Sequence, residues 1–425
     1  MSSRSSTAKA VRPAPTARPR ETAYGTSYWL DRVGRRPAPA QRLTSDLETD
    51  VVIVGGGLTG CLTACLFARA GVPVVVLEAE RVGDRASLDA GWLLETPGVD
   101  FLHLQAALGL KEARRAYEAT RRAALDVAAF LRRLGPKLAP EPRESLVIAA
   151  TPADAAVLER ERAGRTTAGL DAVWLPARRA ASESGADLVR GALKTRSEGL
   201  IDPWQTSRAL VDAATSAGAR LFEQSPATKV RHTRIGVEVV TAKGVVRAKA
   251  VVLATGAPRP LVAALQRHVR VDHTYVVVTE ELPAAMRRAL PAEAIVRSAG
   301  VPLVAALTNG GRVVIQGGDQ PPVPARLADQ TLVQRTGQLM YEWSLRHPAV
   351  SGIQPAYAWT AVRVAGRDGL LIAGAHRNFP HHLFALGLGA TGLAGAWLAA
   401  RIVLRQYQGE PEPGDAIFGF GRLAG

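Results

Sequence analysis

Three glycines near the start of the chain have the spacing of a phosphate-binding turn. Gly55, Gly57 and Gly60 form the pattern G-x-G-x-x-G, and Glu78 follows 18 residues after the last of them. In such a turn the first glycine permits a sharp bend, the second lets a pyrophosphate approach the backbone, and the third lets a helix pack closely on its strand. The carboxylate then accepts hydrogen bonds from a ribose diol. The pattern therefore predicts a dinucleotide site.

The elements around these glycines are those that position such a site. The apolar segment DVVIV precedes the glycines, a helix with the sequence LTGCLTACLFARA follows, and VPVVVLEA forms a second strand. Strands that are apolar on both faces indicate a parallel sheet covered by helices. The free N–H groups and positive dipole end of the helix would hold the pyrophosphate. The predicted fold class is α/β.

The order of the later segments favours FAD over a nicotinamide cofactor. After Glu78 the chain leaves the sheet for a long insertion and returns in the strand AKAVVLATGA, which ends at Thr255 and Gly256. A nicotinamide-dependent enzyme would usually continue with regular βαβ units. We therefore expect an FAD-binding domain that is assembled from separate segments of the chain.

A second G-x-G-x-x-G, at Gly387, Gly389 and Gly392, lies in the uncharged stretch LFALGLGATGLAGAWLAA. A stretch of about 18 apolar residues can be a membrane span, a buried helix or a nucleotide-binding turn. No further strand and ribose-binding acid follow it, so a second dinucleotide unit is not predicted. Glycines in its first half also disfavour an integral membrane span. We expect a loop and then a buried helix that begins at Gly392.

The composition argues against other classes of protein. The 425 residues carry a formal charge of +15, but arginine outnumbers lysine by 46 to 7, and nine of these cations precede residue 43. Nucleic-acid binding is therefore not the favoured interpretation. Cys61 and Cys65 lie four residues apart on the predicted helix and indicate neither a disulfide framework nor a metal site. The N-terminus lacks the apolar segment of a secretory signal, and a cytoplasmic location is predicted.

Five segments of the sequence, in order, resemble those of the D-amino-acid oxidase (DAO) family of FAD-dependent oxidoreductases. They are ETDVVIVGGGLTG, EGLIDPWQTSRALVDAATSAGA, VVLATGAP, TYVVVTEELP, and AWTAVRVAGRDGLLIAG with the GLGATGLAGAWLAA that follows. The chain is most similar to the gamma-glutamylputrescine oxidase and glycine oxidase-like branch. The resemblance implies a Rossmann-like, discontinuous FAD-binding domain with an inserted α+β substrate domain on a mostly antiparallel sheet.

The resemblance also divides the chain into domains. Residues 47–100, 196–260 and 355–410 would form the FAD-binding domain, and residues 101–195 and 261–354 the substrate-binding domain. Residues 1–46 would be a basic arm that is largely disordered at its start, and residues 411–425 a C-terminal tail.

Cofactor-binding residues follow from the resemblance position by position. The ADP half of FAD would contact Gly55, Gly57, Gly60 and Glu78, with Val230 on the strand that contacts the adenine. Thr255 and Gly256 would lie at the second crossing of the cofactor. Arg85, Ser87 and Gly91 fall in the run that wraps the pyrophosphate. Gly389, Thr391 and Gly392 would lie against the flavin, where the helix N-terminus would stabilise the negative charge of the reduced ring.

Two residues are predicted to contact the substrate. Arg363 matches the arginine that holds a substrate carboxylate in family members that oxidise amino acids, a role that suits the forked guanidinium. Tyr275 is a candidate wall of the pocket or hydrogen-bond donor. The resemblance implies oxidation of a C–N bond in an amine or amino acid, by hydride transfer to flavin N5, to an imine that water hydrolyses. The electron acceptor would be O2 or another molecule.

The sequence departs from the family pattern in the run after Glu78. Arg85 stands where the family has a glycine, and Trp92 fills the second position of a Gly-Gly pair, beside the flavin. No His or Cys lies in this run, which predicts non-covalent FAD. No lysine follows Lys249, so an oxygen-activating lysine is absent from the C-terminal half and a dehydrogenase remains an alternative to an oxidase.

Other interpretations remain open at this point. The alternatives are a 2-hydroxy-acid dehydrogenase, a DAO-family enzyme that acts on a modified tRNA base, and a membrane-anchored binding protein. His376, His381 and His382 lie within seven residues, but no acidic or cysteine partner joins them, so they predict a polar lining near the flavin rather than a metal site.

Overall fold

A computed structural model describes residues 21–291 and 293–423. Its strands are β1 (Ala23–Tyr24), β2 (Leu47–Val54), β3 (Val74–Leu77), β4 (Trp92–Leu93), β5 (Glu141–Ala149), β6 (Val173–Pro176), β7 (Gly191–Leu200), β8 (Arg220–Phe222), β9 (Lys229–His232), β10 (Val237–Val240), β11 (Val245–Gly256), β12 (Val269–Thr279), β13 (Ala294–Ser298), β14 (Val301–Leu307), β15 (Val313–Gln320), β16 (Pro355–Gly366), β17 (Ile372–His376) and β18 (Phe379–Leu386). The helices are α1 (Tyr28–Asp31), α2 (Leu58–Arg69), α3 (Phe101–Leu108), α4 (Leu110–Leu134), α5 (Pro152–Thr167), α6 (Ala177–Ser184), α7 (Pro203–Ser216), α8 (Ala284–Ala289), α9 (Ala328–Arg346) and α10 (Gly392–Gln408).

The first sheet has eight strands, and its spine has the order β17-β18-β11-β2-β3-β8. From β18 to β8 all neighbours are parallel, whereas β17 pairs with β18 in the antiparallel direction. The short antiparallel strands β10 and β9 extend from β11. A parallel sheet of this kind confirms the α/β prediction and the return of β11 beside β2.

Helices cover one face of this sheet. The side chains of α2, α4 and α10 form one apolar core with Val51 and Ile53, and Cys61 and Cys65 are fully buried within it. On the other face, Val52 and Val54 pack with residues of β10, β11 and β18. Burial on both faces explains why β2 is apolar at successive positions rather than at alternate ones.

The second sheet has ten strands in the order β1-β16-β12-β15-β14-β13-β5-β7-β4, with β6 also paired to β7. Neighbouring strands are antiparallel except for the β1–β16 and β13–β5 pairs. Helix α9 packs on one face, and a cluster rich in tryptophan covers the other. The mostly antiparallel substrate-side sheet is therefore confirmed.

The structure corrects several predicted domain boundaries. β16, and residues 196–200 of β7, belong to the second sheet and not to the FAD-binding segments. Helices α3 and α4, predicted in the substrate domain, pack in the core of the first sheet because α4 carries an apolar face against α10. Residues 411–423 of the predicted C-terminal tail pack against the protein, since Ile417, Phe418 and Phe420 are buried, whereas residues 424 and 425 lie outside the described residues.

The predicted N-terminal arm is partly ordered. Tyr28 and Trp29 on α1 are buried in the tryptophan-rich cluster, and β1 pairs with β16. The predicted disorder at the start of the arm concerns residues 1–20, which lie outside the described residues. Within residues 21–291 and 293–423, no helix has both the length and the apolar character that crossing a bilayer requires. The uncharged run at 383–400 is instead the end of β18, a glycine turn and the start of α10.

Candidate active site

The candidate site lies where four parallel strands of the first sheet end. β3 ends before Glu78, β2 before Gly55, β11 at Gly256 and β18 before Gly387. Because carboxyl ends of neighbouring parallel strands meet at one edge, these four turns are brought together. From β2 the chain continues to β3 on one side, while β11 lies on the other. Such a switch in strand order is where open α/β sheets bind ligands.

The first glycine turn fits a pyrophosphate. Gly55 has a φ of +109°, and a Cβ there would lie 2.7 Å from the carbonyl oxygen of Ala254. A Cβ on Gly60 would lie 1.8 Å from the carbonyl oxygen of Gly55, whereas one on Gly57 would meet no described atom within 4 Å. Helix α2 begins here without a side-chain cap, so its first N–H groups are available to an anion.

The Glu78 carboxylate is held at the end of β3 by two backbone donors. One oxygen accepts a hydrogen bond of 2.5 Å from Gly56 N–H, and the other accepts one of 2.8 Å from Glu80 N–H. Burial raises the pKa of Glu78, and these two hydrogen bonds oppose the rise. A carboxylate has further acceptor positions. The arrangement fixes Glu78 and leaves it able to accept hydrogen bonds from ribose hydroxyls.

The second glycine turn joins the two sheets. Gly387 N–H donates to the Gly256 carbonyl at 3.0 Å, and Gly389 N–H donates to the Val364 carbonyl of β16 at 2.7 Å. A Cβ on Gly392 would lie 2.2 Å from the Trp92 carbonyl oxygen. Helix α10 starts at Gly392 and lacks a side-chain cap, which leaves its positive end open to negative charge. Thr391 Oγ1 donates to the Leu388 carbonyl, within the turn itself.

The remaining predicted cofactor residues occupy varied surroundings. Ser87 is buried and donates to the Asp84 carbonyl at 2.7 Å, whereas Arg85 beside it is exposed. Gly91 has a φ of +91°, and a Cβ there would lie 2.3 Å from the Ile201 carbonyl oxygen. Two further positions lie on β11 and on β9.

Thr255 and Val230 are the two remaining residues that were predicted to bind the cofactor. Thr255 is exposed at the carboxyl end of β11 and donates to the Ala257 carbonyl at 2.6 Å. Val230 lies on β9, which pairs with β10, and is half-buried against the apolar cluster below the sheet. Thr255 therefore borders the glycine turns directly, whereas the structure shows Val230 as a packing residue.

A group of charged side chains lies on the second sheet next to the glycine turn. Arg363 precedes Val364, the residue whose carbonyl holds Gly389, and its guanidinium forms an ion pair with Asp319 of β15. Asp89 lies within electrostatic reach of Arg363. Burial raises the pKa of Asp89, while its hydrogen bond from Gly91 N–H and the nearby guanidinium lower it. The pair and the second carboxylate form one polar cluster beside the second glycine turn.

Large aromatic side chains lie on the same face of the second sheet as this cluster. Trp92 and Trp359 are buried on the same face of the second sheet. Trp92 Nε1 donates to Gln316 Oε1 at 2.5 Å, and Trp359 Nε1 donates to the Leu88 carbonyl at 2.9 Å. The Trp92 indole, at a position where the sequence predicts a departure from the family pattern, is therefore buried on this face and held by a hydrogen bond.

Tyr275 is corrected from a substrate contact to a core residue. Side chains alternate between faces along β12 and β16, and Trp359 and Ala361 pack on the face that also carries Arg363. Tyr275 lies on the opposite face, under α9, with an exposed fraction of 1%. Its hydroxyl accepts a hydrogen bond from Gln320 Nε2 at 2.7 Å. Its position does not support a catalytic role.

The three histidines are also displaced from their predicted place. His376, His381 and His382 lie at the β17–β18 hairpin, at the amino end of β18 and therefore at the sheet edge opposite the glycine turns. The His376 ring packs edge-on against Phe420 and at a tilt against Phe379. They do not lie near the glycine turns. Among residues 21–423, apart from 292, no group of three His, Cys, Asp or Glu could hold a metal ion.

Sequence reasoning missed Asp319, Gln316 and Asp89. One available signal was the pair Gly317-Gly318 before Asp319, because glycines inside a strand often mark a bulge. The carboxylates themselves carried no recognisable spacing.

Comparison with known proteins decides the family. The family model described as DAO, FAD dependent oxidoreductase, matches residues 50–406. The chain belongs to the DAO family. It is therefore an FAD-dependent oxidoreductase, and the glycine turns, the two uncapped helix starts and Glu78 are the groups that would hold FAD.

Individual relatives of this DAO-family protein agree with that assignment. The gamma-glutamylputrescine oxidoreductase of Escherichia coli K12 is 27% identical over 407 residues, which cover 93% of this chain and 92% of the relative. Glycine oxidase from Geobacillus kaustophilus has the same fold, with a TM-score of 0.73 and 21% identity over 88% of this chain and 97% of that one. The L-alpha-glycerophosphate oxidase of Mycoplasma pneumoniae, solved with FAD bound, has a TM-score of 0.71 and 16% identity over 85% and 95%.

Proposed function

We propose that this protein oxidises the C–N bond of an amine or amino acid to an imine, which water then hydrolyses. The observation that carries the proposal is the position of the charged cluster. Arg363 lies one residue before the carbonyl that anchors Gly389, so Arg363, Asp319 and Asp89 adjoin the turn that leads into α10. Charged groups at this place can bind the polar end of a small substrate beside the cofactor.

FAD, when bound, supplies the acceptor for the hydride that leaves the carbon next to nitrogen. The protein's own contribution is orientation and electrostatics. The uncapped start of α10 stabilises negative charge that develops at its N-terminus. The carboxylates of Asp319 and Asp89 accept hydrogen bonds from a substrate nitrogen, and this fixes the carbon that is to be oxidised.

Buried aromatic side chains lie on the same face of the second sheet as this cluster. Trp92, Trp204 and Trp359 are buried together with apolar residues of β12 and β15. A surrounding of this kind strengthens each electrostatic interaction within it because the local dielectric constant is low.

Oxidation of a 2-hydroxy acid is the second candidate. The fold shared with L-alpha-glycerophosphate oxidase, whose named substrate carries hydroxyl groups and no amine, is the observation that favours oxidation of a C–O bond. Such a substrate would present a carboxylate to Arg363 and a hydroxyl in place of the amine. No contact in the described residues favours a tRNA base.

The test begins with the visible spectrum of the purified protein, with and without added FAD. Anaerobic mixing with a panel of amines, amino acids and 2-hydroxy acids then shows which class bleaches the flavin band. We expect an amine or amino acid to bleach it, and bleaching by hydroxy acids alone would overturn the proposal. Oxygen uptake on readmission of air separates O2 from another electron acceptor.

A further inference from the structure

We propose that Asp319 determines substrate specificity, directing the site towards amines that lack a carboxylate on the oxidised carbon and away from α-amino acids. The inference rests on the proposed function. It starts from the ion pair between Asp319 and Arg363, whose side chains are only 18% and 21% exposed. The guanidinium that was predicted to hold a substrate carboxylate is already paired with a carboxylate of the protein.

A bulge in β15 directs Asp319 to this place. Gln316 pairs with Val276 of β12 and Gly317 with Tyr275, but Gln320 pairs with His273, so β15 contains one residue more than its partner. Gly318 within the bulge has a φ of +68°. An extra residue shifts the alternation of side chains, and bulges commonly redirect a side chain near a site in this way. Asp319 thereby reaches the face that carries Arg363.

The charges around Arg363 leave an excess of negative charge. Asp319 neutralises the guanidinium, and Asp89 adds a second carboxylate within its electrostatic reach. Asp272, the cross-strand neighbour of Arg363, pairs with Arg270 at 2.7 Å and so adds no net charge. The cluster thus holds two carboxylates, those of Asp319 and Asp89, against the single guanidinium of Arg363. A substrate cation would offset the second carboxylate, whereas a substrate carboxylate would add a third.

Within the described part of the chain, Asp319 also has a carboxylate oxygen that is free to accept a hydrogen bond from a substrate. Its Oδ1 atom is buried and has no hydrogen-bond partner within residues 21–291 and 293–423. Buried polar atoms are nearly always paired in native proteins. An ammonium or amine N–H on the substrate would provide the missing donor, since an ionised carboxylate can only accept.

An α-carboxylate on the substrate would be repelled at this place, whereas an amine would be attracted. To reach Arg363 it must displace Asp319 from the guanidinium or approach two carboxylates while that pair persists. Like charges brought together at a binding site are an effective means of rejecting the wrong ligand. The same fold would then accept amines and reject the amino acids that carry the same side chain.

The first experiment compares matched substrate pairs that differ only in this carboxylate. Each amine, such as ethylamine or phenethylamine, is paired with both enantiomers of the α-amino acid whose decarboxylation would give that amine. For the wild-type holoenzyme we expect kcat/KM to favour the amine by about tenfold or more, and Asp319→Asn to reduce that ratio by at least about tenfold. Asp319→Glu, which keeps the charge, should retain the preference, and Asp272→Asn is the matched neighbouring control. An unchanged ratio in Asp319→Asn, or an equal change in Asp272→Asn, would overturn the proposal.

A second experiment measures binding without turnover. Propionate is titrated into each holoprotein by calorimetry, and the flavin spectrum and melting temperature verify that each variant is folded and loaded. We expect Asp319→Asn to bind propionate about tenfold more tightly than wild type. Equal binding to both would refute the role of Asp319. If propionate binding increases but no amine bleaches the flavin, the role of Asp319 stands and the proposed amine oxidation fails.

Discussion

Trp92 and Gln316 connect the start of α10 to the strand that carries Asp319. The Trp92 indole N–H donates to Gln316 Oε1, while the Trp92 carbonyl lies against Gly392 and Leu93 bridges to it. Both side chains are buried, with exposed fractions of 5% and 8%. Trp92 thus contacts the second glycine turn through its backbone and the second sheet through its side chain.

Removing this hydrogen bond should destabilise the protein measurably. Trp92→Phe keeps an aromatic ring but leaves Gln316 without its donor, and a buried polar group left unpaired costs about 1–3 kcal/mol. Gln316→Met removes the acceptor. We expect the double variant to lose less free energy of unfolding than the sum of the two single variants, by at least about 0.5 kcal/mol, in urea unfolding. Strict additivity would show that the contact contributes nothing.

Two glycines of the first turn should separate folding from FAD binding. Gly60→Ala places a Cβ 1.8 Å from the Gly55 carbonyl oxygen, so we expect the variant to lose stability and FAD together. Gly57→Ala meets no described protein atom within 4 Å, so its apoprotein should unfold within about 1 kcal/mol of wild type. Its affinity for FAD should nevertheless fall, because the methyl group occupies the path of the pyrophosphate. Wild-type FAD affinity in Gly57→Ala, measured by fluorescence titration, would contradict this placement.

Glu95 should give the protein a measurable dependence of stability on pH. Burial and the nearby Glu198 carboxylate raise the pKa of Glu95 from 4.5 to about 7, against the opposing effects of Arg196 N–H and Arg121. The folded state therefore binds a proton more tightly than the unfolded chain between these values, and this group's contribution to stability falls as the pH rises through that window. The change amounts to up to about 3 kcal/mol.

The matched variant for this prediction is Glu95→Gln, which cannot titrate. The difference in free energy of unfolding between wild type and Glu95→Gln should increase in favour of wild type as the pH is lowered from about 8 to about 5. Urea unfolding at several pH values measures it. A difference that is flat over this range would mean that Glu95 titrates near its ordinary pKa.

Denaturation of the protein should release the flavin as unmodified FAD. Cys61 and Cys65 are buried within α2, and His376, His381 and His382 lie at the far edge of the sheet. Acid precipitation is therefore expected to give a colourless pellet and a supernatant with one FAD per chain. A yellow pellet would demonstrate a covalent bond to some residue.

The sequence determined the parts of this protein that depend on local chemistry. The turn from Gly55 to Gly60, the strands on either side and Glu78 follow from conformational and packing requirements that only particular residues meet. The same holds for the return of the chain at Gly256 and for the helix that starts at Gly392. Each of these signals lies within a short segment, so one chain sufficed to interpret it.

Tertiary structure decided which side chains share a face and which segments share a core. Tyr275 and Arg363 both lie on strands of one sheet, but strand alternation puts them on opposite faces. Helix α4 packs with α10, far along the sequence, because their apolar faces match. The pairing of Asp319 with Arg363 depends on a bulge and on a register between distant strands. No local pattern contains these relations, since they arise from contacts between residues far apart in the chain.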